Sequence, residues 1–87
     1  MKFEKHVKVR QEKFGAVVFE TLREKVFVTN ETGSEILRFL EEGKELEDVI
    51  AGLANNYSCD PKIIEGDVNE FIWSLKDSGI IEEEEQK

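Results

Sequence analysis

One cysteine, one histidine, one proline, one tryptophan and one tyrosine are all that 87 residues contain of those five types. Each scarcity excludes something. A lone Cys59 permits no internal disulfide. A metal centre needs three or four converging His, Cys, Asp or Glu ligands, and His6 and Cys59 lie far apart in the chain. A thiol nucleophile needs a base, and His6 is the sole histidine candidate. The spacing places His6 in an exposed strand and Cys59 in a loop before a helix, so the pair does not form a catalytic centre. The six glycines are dispersed, and no phosphate-binding loop is present. No cofactor and no metal are expected. No apolar run approaches membrane-spanning length, and Met1 to His6 lack the apolar stretch of a secretion signal. The chain therefore reads as cytoplasmic, with no membrane partner.

Charge is plentiful, at 37% of residues, but unevenly spread. Residues 1–30 carry seven Lys/Arg and four Asp/Glu, a balance of +3; residues 31–87 carry five and sixteen, a balance of −11. The sum is the net charge of −8. A basic first part joins an acidic second part. Affinity for nucleic acid comes largely from neutralising phosphates, so this acidic region argues against it.

The first part has a period of two. Val7-Lys8-Val9-Arg10 alternates cleanly, with the valines inward. Gly15 supplies a turn residue free to take positive φ, and Ala16 to Glu20 follows as a second strand. Leu22-Arg23-Glu24 is a tight connection without glycine, and Lys25 to Val28 is a third strand. Connections this short favour an antiparallel meander.

The rest has helical spacing. Asn30 or Thr32 can cap a first helix with the stripe Ile36, Leu37, Leu40 and with Phe39 beside it, ended by Gly43. A second, poorly capped helix buries Leu46, Val49, Ile50, Leu53, Ala54 and Tyr57. Asp60-Pro61 is a strong start for a third, which buries Ile64, Val68, Phe71, Ile72 and Leu75 and ends at Gly79. The fold class is α+β: a three-stranded antiparallel sheet followed by three helices, winged helix-turn-helix-like. The expected domain is 1–81, with an acidic disordered tail at 82–87.

A DNA-reading arrangement would need a basic third helix. Here two lysines, Lys62 and Lys76, face Asp60, Glu65, Asp67, Glu70 and Asp77. Glu41-Glu42 and Glu47-Asp48 read as solvated faces. Asp67, Glu70 and Asp77 flank the apolar stripe and are either plain solvent face or the rim of a groove.

Three segments carry a family resemblance: Val9 to Phe19, Val28 to Leu37, and Asp67 to Leu75 with Gly79-Ile80-Ile81. In that order the chain resembles the PqqD family, also called RiPP precursor peptide recognition elements. It departs from the family at Thr29, often Leu, and at Glu45, often Thr or Ser. The resemblance implies a non-catalytic adaptor. Such a protein binds the leader of a ribosomally made precursor peptide as a strand added beside the third strand, against the third helix. It then presents the peptide to a modifying enzyme, often a radical SAM protein. Arg23, Lys25, Val26, Phe27 and Val28 would form one wall; Asp67, Glu70, Phe71, Ser74 and Leu75 would form the other. Periodicity does not say which of these apolar residues are core and which are groove. A winged-helix regulator or general interaction domain is the alternative reading. The open edge is compatible with a monomer or a weak homodimer.

Overall fold

The structure is a computed structural model and describes residues 2–82. The strands are β1 (Lys2–Phe3), β2 (Val7–Glu12), β3 (Gly15–Glu20), β4 (Lys25–Thr29) and β5 (Ile81–Glu82). The helices are α1 (Glu31–Glu41), α2 (Leu46–Asn56) and α3 (Pro61–Asp77). β2, β3 and β4 form an antiparallel sheet in that order, the expected meander. Two short strands were not anticipated: β1 pairs with β5, Lys2 opposite Glu82 and Phe3 opposite Ile81. Glu82 is thus a strand residue, and residues 83–87 of the expected tail lie outside the described part.

The core lies between the sheet and the helices. Ala16 and Val18 of β3 meet Ile36, Leu37 and Leu40 of α1, Val49 and Leu53 of α2, and Val68, Ile72 and Leu75 of α3. Ile80 and Ile81 close it. Each large side chain buried here contributes about 1.5–3 kcal/mol of apolar transfer. Tyr57 departs from its expected buried face. It is 45% exposed, and its hydroxyl donates to Glu35 at 3.2 Å.

Capping explains the helix boundaries. The Asn30 side chain accepts from the Gly33 amide, and Asp60 accepts from the Lys62 amide ahead of Pro61. Glu45 makes no side-chain cap bond. All three helices end on the same pair of reversed hydrogen bonds. In α3, Ile80 N donates to Leu75 O and Gly79 N to Lys76 O. In α1, Lys44 N donates to Phe39 O and Gly43 N to Leu40 O; in α2, Cys59 N donates to Ala54 O and Ser58 N to Asn55 O. The motif needs a left-handed residue, supplied by Gly79, Gly43 and, without glycine, Ser58 at φ 53°.

Two stability predictions follow from this geometry. Ser58→Gly relieves a left-handed side-chain residue and is expected to raise stability by about 0.5–1 kcal/mol in urea unfolding. Gly66 is an interior residue of α3, and a Cβ there would meet nothing within 4 Å. Gly66→Ala should therefore gain about 1 kcal/mol. An unchanged denaturation midpoint would contradict either expectation.

Candidate functional site

β4 pairs with β3 on one side only, so its other side is an open edge. The backbone groups that point outward can be assigned. Thr21 N donates to His6 O, so odd-numbered residues along β3 bond toward β2 and even-numbered ones toward β4. The partners of Ala16, Val18 and Glu20 are Thr29, Phe27 and Lys25. By alternation, the N–H and C=O groups of Val26 and Val28 point away from the sheet. Their side chains are 60% and 61% exposed.

Phe27 points the other way, toward the helices. Its ring meets Phe71 of α3 edge-to-face, with centroids 6.1 Å apart and planes at 73°. Both rings are half-buried against the core and form the floor between β4 and α3. Asp67, Phe71, Ser74 and Ser78 recur at helical spacing along the same side of α3 and its cap. Two hollows flank the phenylalanine pair. One, of about 260 Å³, lies between the start of α1 and α3, with Asn30, Ile36, Ile64, Asp67 and Phe71 in its wall. The other, of about 60 Å³, is bounded by Lys25, Val26, Phe27, Ser78 and Ile80.

The walls expected for the groove come together in part. Lys25 is exposed on β4, Asp67 and Glu70 are exposed on α3, and Ser74 is half-buried, whereas Val26 and Val28 bring only their backbone edge to the groove and turn their side chains to the far face of the sheet. Leu75 is a correction. It is fully buried and unavailable to a ligand, because it belongs to the core that the sheet and the three helices close around. Ser78, Asn30 and Ile64 were not expected at the site. Helical spacing from Phe71 could have suggested Ile64 and Ser78, but nothing local marks Asn30 as more than a cap.

Arg23 has a structural engagement that sequence did not reveal. Glu20 ends β3 at 2% exposure. Its carboxylate accepts from Leu22 N at 2.9 Å, Arg23 N at 3.2 Å and Arg23 Nε at 3.1 Å. Burial pushes the Glu20 pKa up, but these N–H donors and the guanidinium charge outweigh it and hold the carboxyl below its ordinary range. Arg23 Nη2 also donates to Ser78 O at 3.2 Å, tying the β3–β4 turn to the end of α3. That tie closes the groove at the Lys25 end. Glu24 takes φ 58° in this turn, which explains how the connection turns without glycine. His6 was expected in an exposed strand. It instead lies in the turn before β2, with Nε2 3.1 Å from Glu20 Oε2.

Among the described residues no three His, Cys, Asp or Glu side chains are placed to hold a metal ion. No helix among them is long and apolar enough to cross a membrane.

Comparison with known proteins places this architecture. Two solved structures share it. TbiB1 in complex with the TbiA(beta) leader peptide is 26% identical, with a TM-score of 0.90 over 99% of this chain and 100% of that one. A lasso peptide synthetase B1 complexed with the leader peptide is 23% identical, with a TM-score of 0.85 over 94% and 96%. No curated protein sequence matches. The family profile described as coenzyme PQQ synthesis protein D (PqqD) matches residues 15–81, which span the sheet from β3 through all three helices to the start of β5. The chain belongs to the PqqD family.

Proposed function

We propose that this protein binds the leader segment of a ribosomally made precursor peptide as a fourth strand on β4, against α3, and presents the peptide to a modifying enzyme without catalysing chemistry itself. The observation that carries this reading is the outward N–H and C=O groups of Val26 and Val28 on an edge that α3 overlooks. An added strand draws affinity from such groups and specificity from pockets for alternate side chains. The two hollows beside Phe27 and Phe71 are suited to apolar side chains of that strand. The likeness to TbiB1, whose structure holds a leader peptide, supports the same reading. A radical SAM protein as the enzyme rests on the family resemblance alone.

Electrostatics add a leader chemistry. Lys25 stands on one wall, Asp67 and Glu70 on the other. The leader that fits has an apolar stripe and charges of both signs. Exposed Glu65, Asp67, Glu70 and Asp77 on α3 would repel a nucleic-acid duplex.

Calorimetric titration with synthetic leaders, taken from precursor genes encoded beside this one, tests the proposal. One-to-one saturable binding with amide shifts confined to β4 and α3 is the expected result. Absence of binding to every such leader would overturn it. Glu70→Lys is expected to weaken a leader with a cation facing α3 by about tenfold at low salt. Stability should stay within about 0.5 kcal/mol, because Glu70 is exposed. Equal affinities for wild type and Glu70→Lys across leaders of opposite charge would remove Glu70 from the rim.

A further inference from the structure

The face of the sheet turned away from the helices breaks the pattern expected of a surface wetted on one side. β2 obeys it: Val7 and Val9 pack against the core, while Lys8 and Arg10 are exposed. β3 and β4 do not. Their outward positions are Val17, Phe19, Val26 and Val28, and none of the four belongs to the core or packs on it. Register sets them in two rows, Lys8–Phe19–Val26 and Arg10–Val17–Val28. Each row runs from a cation on β2 to an apolar residue at the open edge. A contiguous apolar surface with a charged margin marks a site of association.

A leader strand does not account for this face. It would pair with β4, whereas Val17 and Phe19 sit on β3, one strand further in. We infer that the outer face of the sheet is the docking surface for the modifying enzyme, which meets it with an apolar patch flanked by carboxylates. The inference rests on the peptide-binding reading for its continuity. A strand added to β4 extends this face and lengthens both rows by one residue. A protein seated there touches the sheet and the leader's outward side chains together. Arg10 is ion-paired with Glu12 on this margin, so exposed Lys8 is the cation that selects a carboxylate on the partner's rim. A second copy of this chain fits less well, because a two-fold pairing presents the same basic margin from both sides.

The test uses the full chain and the purified modifying enzyme encoded beside it, with leader present. Val17→Thr/Phe19→Thr places a β-branched strand former at both positions. It is expected to weaken enzyme binding by about tenfold or more, with leader affinity unchanged. Lys8→Glu should weaken the enzyme complex at low salt and much less at high salt. Unchanged leader affinity also shows that each variant is folded. If both variants bind enzyme as the wild type does while still binding leader, the docking face is wrong. A wild-type dimer in sedimentation that Val17→Thr/Phe19→Thr dissolves would also overturn it, assigning the face to self-association. Titration of the wild type with leader alone tests the peptide reading separately. A chain that takes enzyme through this face but no leader overturns that reading and supports the docking surface.

Discussion

Val26→Pro is expected to lower leader affinity by about 10- to 100-fold while leaving the protein folded. The reason is the direction of one N–H. Val26 donates nothing to β3, because the alternation fixed by the Thr21–His6 bond turns its amide outward. Proline is tolerated on an edge strand where the missing donor faces solvent. The incoming peptide, however, loses that donor and leaves a carbonyl unpaired, at about 1–3 kcal/mol. The pyrrolidine ring adds a steric obstacle at the same point. Phe27→Pro is the informative contrast. Its amide belongs to the ladder with Val18, and its ring is the partner of Phe71. That variant should lose the fold itself. Circular dichroism and calorimetry on the two proteins separate the cases. Wild-type affinity in a folded Val26→Pro protein would sink the added-strand model.

Gly15→Ala is expected to destabilise the domain by about 2–4 kcal/mol, through a disfavoured backbone conformation and a clash with main chain. Gly15 opens β3 at φ 154°, a conformation that residues with a Cβ rarely adopt. A Cβ built there would stand 2.0 Å from Thr29 O and 2.5 Å from Asn30 C. Those are backbone atoms at the end of β4 and the cap of α1, so no side chain can rotate away. The sheet would have to part from α1 at its junction. For a domain of this size the loss corresponds to a fall of about 10–25 °C in Tm. A melting curve within about 2 °C of wild type would show that the approach can relax.

The two variants also mark what local pattern can and cannot reveal. Gly15 was recognisable as a turn glycine because strands of period two flank it. The contact that makes it irreplaceable comes from Thr29 and Asn30, which local pattern does not reach. The strands β2 to β4, the three helices and the Asp60 cap follow from short-range rules and are legible, whereas β1 and β5 pair across the whole chain and the choice of Asn30 over Thr32 is made by the fold. Phe71 and Leu75 lie one turn apart on the same stripe, so period alone does not say which is core and which is groove. The fold separates them: Phe71 stays half-buried beside the Phe27 ring, while Leu75 is sealed within the core. Tyr57 has the spacing of a buried residue, yet its hydroxyl finds Glu35 and Thr32 at the surface. Arg23 reads as a free cation because its partners Glu20 and Ser78 are brought to it only by the fold. Helix α2 ends without glycine at Ser58, and no residue type announces that stop.

The pairing of β1 with β5 sets where the chain enters and leaves. Lys2 lies opposite Glu82, and Glu4 N donates to Ile80 O at 2.9 Å. Entry and exit are therefore antiparallel neighbours, and the fold between them is a closed circuit. A unit wired in this way can be spliced into a loop of another protein without prising its own layers apart. Joining residues 2 and 82 through a short linker and reopening the chain at the exposed Gly43–Lys44 connection keeps every strand and helix whole. The gap that a linker between residues 2 and 82 has to cross is the width of one antiparallel strand pair, about 5 Å.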